Sequence, residues 1–117
     1  MKITEKPWGR EELIEHNDNY VVKKLVMNKG HRCSLQYHEL KTETFYVLEG
    51  RLLLSIGSLN MENKEYDLEE REMLPGASLT VPPFTVHRMK GLEDSVYLEA
   101  STTELDDVVR LADDYKR

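Results

Sequence analysis

The feature of this sequence that most constrains its fold is a two-residue alternation of apolar and polar side chains. It runs through short segments of the first hundred residues, and turn-forming tripeptides such as Asn17-Asp18-Asn19 and Asn28-Lys29-Gly30 separate these segments. A two-residue period places alternate side chains on opposite faces of a strand, and short strands at regular spacing are typical of barrels and double-sheet folds. The alternation therefore predicts an all-β fold of about eight or nine strands, a closed barrel or a jelly roll.

The predicted strands follow the apolar runs along the chain. A Val-rich strand is expected at 20–27 and another at 32–38, and the later ones fall at 66–73, 78–81, 86–90 and 95–100. Two further runs, 45–48 and 52–56, are joined through Glu49-Gly50-Arg51, a short connection that predicts a β-hairpin.

The period changes after residue 101. Apolar residues then recur at helical spacing, and the preceding Ser101-Thr102-Thr103-Glu104 has the pattern of a capping box. Acidic residues crowd the start of this segment and basic residues its end, as the helix dipole favours. The sequence therefore predicts a single domain over residues 1–117, with a β-barrel at about 7–101 and one C-terminal α-helix at about 103–116.

Composition narrows the class of protein. The chain has 117 residues with 16 Lys and Arg against 22 Asp and Glu, which gives a formal net charge of −6. This balance argues against a nucleic-acid or anionic-membrane surface, where phosphate favours a basic face. The N-terminal residues lack the apolar region of a secretory signal, and no apolar run is long enough to span a bilayer. We therefore expect a cytoplasmic protein.

Two clusters of polar residues indicate chemistry. Gln36 and His38 lie two apart on a predicted strand and so share a face with Ser34, and Glu43 follows a short turn. His87 follows Pro82 and Pro83 at the start of another strand. A single histidine on such a strand is most often an ordinary buried polar residue, but a mixed set of nitrogen and oxygen donors suits Zn, Mn, Fe, Co or Ni. The sequence thus predicts a site for one divalent ion, with four ligands: Gln36, His38, Glu43 and His87.

The spacings of these residues resemble two known motifs. The pattern Gly30-x5-Gln36-x-His38-x4-Glu43-x6-Gly50 resembles the first cupin motif with Gln in place of a His, and Gly76-x5-Pro82-x4-His87 resembles the second. The Gln variant is similar to the cupin domain of type II mannose-6-phosphate isomerases. Other stretches agree with that family, among them Lys6-Pro7-Trp8-Gly9, Val47-Leu48-Glu49-Gly50 and the ending from Leu105 to Arg110.

This resemblance implies a cupin jelly roll that acts as a metal-dependent aldose–ketose isomerase on a sugar phosphate, with mannose 6-phosphate and fructose 6-phosphate as the leading substrates. It implies Zn as the first choice of metal. It also implies catalytic roles for Glu99 as the proton-transfer base, for Arg110 and for Lys41, which stands where the family has Arg. Substrate-binding roles are expected for Ser34, Arg88 and Arg117.

Two departures from the family pattern leave alternatives open. Lys116 stands where the family has Gly, and the nucleotidyltransferase domain often fused to this cupin is not in the sequence, which implies a stand-alone form. A non-catalytic metal- or sugar-binding cupin associated with polysaccharide or nucleotide-sugar synthesis is one alternative. An iron-dependent dioxygenase is another, which Gln36 disfavours because an amide is a weaker donor than the third His common in such sites.

The predicted strand 32–38 also has an apolar second face, formed by Cys33, Leu35 and Tyr37. Because both faces then require cover, we expect a homodimer in which N-terminal strands beginning near Trp8 cover the partner. Cys33 is the only cysteine, which excludes an internal disulfide, and we expect it to be a packed thiol. His16 and His31 lie beside turns and are expected at the surface.

Overall fold

A computed structural model describes residues 2–115, and these residues form eleven β-strands. The strands are β1 Lys2–Lys6, β2 Gly9–His16, β3 Val21–Met27, β4 Leu35–Tyr37, β5 Glu43–Glu49, β6 Leu52–Ser58, β7 Glu69–Met73, β8 Ser78–Val81, β9 Thr85–Gly91, β10 Ser95–Ser101 and β11 Val109–Ala112. The same residues contain no helix long and apolar enough to cross a membrane.

The strands make two antiparallel sheets, as the predicted jelly roll requires. One sheet has six strands in the order β1-β2-β3-β10-β5-β8, and the other has five in the order β11-β4-β9-β6-β7. Neighbours in each sheet are mostly distant in sequence, since β10 pairs with β3 and β5, and β9 pairs with β4 and β6. The predicted all-β class is confirmed, and β1 extends the sheets to residue 2, before the predicted start near residue 7.

The core lies between the two sheets and follows the alternation of the sequence. In β3 the side chains of Val21, Leu25 and Met27 are buried, with at most 3% exposed. Leu52 and Leu54 of β6 are fully buried from the opposite sheet. The main cluster comprises Trp8, Leu25, Met27, Phe45, Val47, Leu52, Leu54, Met73, Val81, Met89 and Tyr97. Trp8 is therefore a core residue of its own chain.

A second, smaller cluster covers the other face of β4. It comprises Leu35, Leu59 and Val86, with Tyr37, Tyr66 and Phe84 packed against them. The apolar face that suggested a partner subunit is thus covered by residues of the same chain.

The prediction of a hairpin at Glu49-Gly50-Arg51 is wrong. β5 pairs with β8 and β10 in one sheet, while β6 pairs with β7 and β9 in the other, so this connection crosses between the sheets. Apolar side chains of both strands face the space between the sheets, which a crossing satisfies as well as a hairpin does. Gly50 permits the crossing because its φ is 90° and a Cβ there would lie 2.7 Å from Cα of Ser95.

The prediction of a helix at 103–116 is also wrong within the described residues. Residues 103–108 form turns, and β11 then pairs antiparallel with β4, so that Arg110 lies opposite Gln36 and Val109 opposite Tyr37. The helical spacing of the apolar residues is outweighed by backbone pairing, because β4 would otherwise have an open edge. Thr102 and Asp107 accept backbone hydrogen bonds from the chain between β4 and β5, which hold this segment against that loop.

Two glycines separate the effect of steric overlap from that of backbone strain. Gly50 and Gly76 both have φ of 90°, but a Cβ at Gly76 would meet no atom within 4 Å. We expect Gly76→Ala to cost about 1–2 kcal/mol of unfolding free energy through the positive φ alone. Gly50→Ala should cost about 1–3 kcal/mol more, because the added carbon overlaps the start of β10. Urea unfolding of both variants measures the difference, and equal losses would contradict the close approach.

Candidate metal centre

Three side chains from separate parts of the chain meet between the sheets. His38 follows β4, Glu43 begins β5 and His87 lies in β9, and each residue is 2% exposed. One donor atom from each lies within 4.8 Å of the other two. The structure thus brings together three of the four residues predicted as metal ligands, in a group whose donors match those of divalent-metal sites.

Backbone carbonyls fix the protonation of both imidazoles. Nδ1 of His87 is 2.9 Å from the carbonyl oxygen of Thr85, and Nδ1 of His38 contacts the carbonyl oxygen of Asp107. A carbonyl oxygen only accepts, so in a neutral imidazole Nδ1 bears the hydrogen and Nε2 presents its lone pair. This arrangement, in which the outer nitrogen donates to an oxygen, is the usual support of a metal-bound histidine.

Both lone pairs point at the same carboxylate oxygen. Oε1 of Glu43 lies 2.7 Å from Nε2 of His38 and 3.0 Å from Nε2 of His87. Nε2 of His87 is buried and has no hydrogen-bond partner among the described residues. Three electron pairs facing each other in a dry site require a cation or a proton between them. The residues present therefore fit a divalent ion.

Gln36, the fourth predicted ligand, lies beside this group. Its Cα is paired with that of His87 across β4 and β9, and its side chain lines the same cavity. The hydroxyl of Ser34 donates to Oε1 of Gln36 over 2.6 Å. Ser34 thereby orients the amide.

Two buried carboxyls in the site have opposite pKa directions. Burial raises the pKa of Glu43, but the close approach of the His38 and His87 imidazoles, a hydrogen bond from Glu99 and the charge of Lys41 outweigh it, so its pKa lies well below the usual range. Burial raises the pKa of Glu99 well above its usual range, and the charge of Glu43 and a hydrogen bond to it raise it further. Glu43 therefore bears the negative charge, and Glu99 holds its proton to a higher pH.

Lys41 lies between these two carboxyls. Its Nζ is 3.7 Å from Oε2 of Glu43 and 3.9 Å from Oε1 of Glu99, and the residue is only 6% exposed. A buried ammonium group at this position offsets part of the charge that two adjacent carboxyls would place in the cavity.

A cavity of about 150 Å³ contains these groups. Besides the His/Glu/His cluster, five predicted site residues line this cavity: Ser34, Gln36, Lys41, Glu99 and Arg110. Arg110 reaches it from β11, the strand that replaces the predicted helix. The predicted site residues thus share one cavity, with two exceptions.

The exceptions are two arginines predicted to bind substrate. Arg88 is buried, and its guanidinium donates to the carbonyl oxygens of Cys33 over 2.9 Å and Ala112 over 3.4 Å. The structure therefore does not bring Arg88 to the cavity; the side chain joins β9 to the C-terminal segment. Arg117 lies outside the described residues.

Cys33 does not face away from the cavity as predicted. It lines the cavity and packs against the main core, because the chain before Leu35 is irregular and does not continue the alternation of β4. Burial raises the pKa of its thiol to about 11, which suppresses the thiolate at neutral pH. The prediction of a packed thiol is therefore confirmed, although the side chain lies on the other face.

Sequence reasoning missed three charged residues of the cavity, namely Lys6, Glu11 and Lys23. Nζ of Lys23 is 3.4 Å from Oε2 of Glu11, and Lys23 is paired with Glu99 across β3 and β10. The signal was present in the alternation, since Lys23 shares the buried parity of Val21, Leu25 and Met27. A charge on an apolar face commonly marks a site that opens into a core.

Two facing antiparallel sheets with a His/Glu/His cluster between them give this protein a cupin fold. The same fold occurs in a cupin superfamily protein from Desulfitobacterium hafniense DCB-2, with a TM-score of 0.64 at 14% identity over 80% of this chain and 76% of that one. Within this class, the chain belongs to the family described as mannose-6-phosphate isomerase C-terminal, whose family model matches residues 2–113.

Two further proteins illustrate the likeness. A mannose-1-phosphate guanylyltransferase of Escherichia coli K12 is 30% identical over 118 residues, which cover 96% of this chain and 22% of that protein. KdgF from Halomonas sp. superposes with a TM-score of 0.74 at 19% identity, over 91% of both chains. The chain spans about a fifth of the length of the curated relatives it matches.

We expect the purified protein to bind about one divalent ion per chain. His38→Ala and His87→Ala should each lose most of it, because each removes one of the converging lone pairs. His16→Ala is the matched control, since that imidazole is exposed on β2 and should leave the metal content unchanged. Elemental analysis after dialysis gives the stoichiometry, and full retention in both site variants would overturn the assignment.

Proposed function

We propose that this cupin is a metal-dependent aldose–ketose isomerase of a sugar phosphate, with mannose 6-phosphate and fructose 6-phosphate as its first candidates. The observation behind the proposal is a carboxyl group of raised pKa, Glu99, within the cavity of the His/Glu/His cluster. Metal-dependent aldose–ketose isomerisation through an enediol uses these two functions together: a cation that polarises the sugar oxygens and a base that moves one proton. Membership of the mannose-6-phosphate isomerase C-terminal family supports the choice of substrate.

The charge of the cavity favours an anionic substrate although the chain is acidic. Four cationic side chains line it, Lys6, Lys23, Lys41 and Arg110, against three carboxyls, Glu11, Glu43 and Glu99. Even with all three carboxyls ionised, these groups sum to +1, and a divalent ion raises this to +3, whereas the whole chain is −6. A local positive field inside an acidic protein concentrates an anion such as a sugar phosphate at the site. We assign Arg110, which is exposed at the rim, to the phosphate.

The protein groups have distinct roles in this proposal. Gln36, His38, Glu43 and His87 hold the ion, for which we propose Zn²⁺ with Mn, Fe, Co and Ni as alternatives, because the donors are nitrogen and oxygen. The bound metal would supply Lewis-acid polarisation of the C1 and C2 oxygens. Glu99 takes the proton from C2 of the aldose and returns it to C1. The ammonium group of Lys41 lies near both Glu99 and Glu43 and reduces the repulsion between their negative charges. Ser34 orients the amide of Gln36.

A second function is favoured by the names of the relatives. They are mannose-1-phosphate guanylyltransferases, and a protein of alginate biosynthesis from Pseudomonas aeruginosa is 27% identical over 96% of this chain. The alternative is therefore a non-catalytic cupin that binds a metal or a sugar within nucleotide-sugar or polysaccharide synthesis. Only the isomerase would convert a sugar phosphate to product, so one activity assay distinguishes the two functions.

Glu99→Gln tests the catalytic role of the carboxyl. We expect the metal-loaded wild type to convert mannose 6-phosphate to fructose 6-phosphate, and the variant to keep its metal but lose about 10²-fold or more in kcat, as loss of a general base does. Since the base must be deprotonated, kcat/KM of the wild type should rise with pH through the raised pKa of Glu99, above the range of an ordinary carboxyl. A coupled assay measures both.

In deuterated water the wild-type product should contain carbon-bound deuterium, because the proton on Glu99 exchanges with solvent between the two transfers. Mass spectrometry of the product detects it, and an unlabelled product would indicate direct hydride transfer instead. Glu49→Gln is the matched control, since this glutamate lies on β5 with an exposed side chain and should retain full turnover. Normal turnover in Glu99→Gln would exclude that residue, and a wild type inactive on a panel of sugar phosphates would favour the binding function.

We also retain the homodimer and the cytoplasmic location as proposals. The surface that supports a dimer is the outer face of the six-stranded sheet, where Tyr46 and Leu48 are 43% and 39% exposed beside Leu98 of β10. Antiparallel sheets usually present polar residues on an uncovered face. Sedimentation at micromolar concentration should give the mass of two chains, and Tyr46→Glu should shift it toward one. A wild-type mass of one chain would contradict the proposal.

A further inference from the structure

The connection from β4 into the first residue of β5 contains two of the three residues of the His/Glu/His cluster. This ligand loop, residues 38–43, begins with His38, ends with Glu43 and presents Lys41 to the cavity. The five residues 38–42 connect strands of different sheets and have few backbone partners of their own. Its conformation decides how the first imidazole and the carboxylate face each other, so the groups that bond its backbone also control the geometry of the metal centre.

One carboxylate satisfies most of that backbone. The amide of Glu39 donates to Oδ1 of Asp107 over 3.1 Å, and the amides of Leu40 and Lys41 donate to Oδ2 over 2.7 and 2.8 Å. Three successive amides around one anion form a concave site of fixed shape. The next amide, that of Thr42, donates to the side chain of Thr102 over 3.1 Å.

The same residue also supports the first metal ligand directly. The carbonyl oxygen of Asp107 accepts from Nδ1 of His38, which leaves Nε2 of that imidazole facing Glu43. Asp107 therefore contacts the ligand loop through both its side chain and its backbone. Its neighbour Asp106 is exposed and has no such contact with the loop.

Asp107 belongs to a segment that closes over the cavity. In this C-terminal strap, residues 102–115, Leu105, Val108 and Arg110 line the cavity. Its far end is held by a hydrogen bond of 2.6 Å between Tyr115 and His31, and by an ion pair of Asp114 with Arg32. The strap therefore has anchors on both sides of the cavity, and the anchor nearer the metal ligands is Asp107.

We propose that Asp107 is a positioning residue that couples metal binding to docking of the C-terminal strap. The inference rests on the proposed metal centre and is independent of the reaction catalysed there. Docking of the strap fixes the ligand loop for the ion, and the ion in turn fixes the loop on which the strap docks. Because such coupling is reciprocal, each event favours the other by the same factor. Metal uptake then also brings Arg110 into place over the cavity.

The test compares Asp107→Asn with Asp106→Asn, two neighbouring substitutions that remove the same charge. An amide cannot accept from all three loop amides, because one of its ends is itself a donor. We expect the Zn²⁺ affinity of Asp107→Asn, measured by competition with a chromophoric chelator, to fall about 10-fold or more, as loss of a supporting residue does. Asp107→Ala should fall further, and Asp106→Asn should stay within about twofold of the wild type.

Two readouts separate positioning from a general loss of stability. At saturating Co²⁺, the visible bands of Asp107→Asn should shift from those of the wild type because His38 is reoriented, while those of Asp106→Asn should not. In the wild type, Zn²⁺ should slow hydrogen exchange at residues 39–41 and in β11. Circular dichroism identifies any variant that has failed to fold. If Asp107→Ala fails to fold, Asp107→Asn is the decisive variant.

Equal Zn²⁺ affinity and equal Co²⁺ bands in Asp107→Asn and the wild type would overturn this inference and leave the metal centre standing. Hydrogen exchange at residues 39–41 and in β11 that is unchanged by Zn²⁺ would also overturn the inference. A wild type that takes up no metal would overturn the metal centre and this inference together.

Discussion

Two imidazole lone pairs and a carboxylate oxygen are buried against one another between the sheets, and the rest of the site depends on how that contact is satisfied. In a dry interior, such groups are stable only when a positive charge lies among them. The protein groups around Glu43, among them His38, His87 and Lys41, hold its pKa low, and burial together with the charge of Glu43 raises the pKa of Glu99 next to it. Oε1 of Glu43 is therefore the atom around which the other charged groups of the cavity lie.

The fold brings these groups together within a short chain of 117 residues. Strands of both sheets contribute to the cluster, with Glu43 at the start of β5 in one sheet and His87 on β9 in the other. The crossing at Gly50 permits this, because it sends β5 and β6 to different sheets within three residues. Much of the apolar core lies beside the polar cavity, and Phe45 and Met89 line both. Packing of the core thus limits how far the ligands can move.

The sequence predicts the parts of this structure that depend on local pattern. Alternation predicts strands, buried faces and the all-β class, and the spacing of His38, Glu43 and His87 predicts their convergence. Its failures are non-local. The pairing partners of β5 and β6 are set by the whole sheet, so the short connection between them predicts a hairpin where the chain in fact crosses between sheets. The segment after residue 101 has helical spacing, but an open strand edge and the loop amides compete for it. Cys33 was misplaced because the backbone before β4 is irregular.

The contact between Nδ1 of His38 and the carbonyl oxygen of Asp107 joins residues 69 positions apart in the chain. During synthesis, His38, Glu43 and His87 all leave the ribosome before the group that orients the first of them. Such long-range contacts are also slow to form during folding, because the closure entropy of a long loop precedes any gain from the contact. Assembly of the centre is consequently a late event, and the nascent chain passes through a stage in which its histidines are present but not yet arranged for a metal.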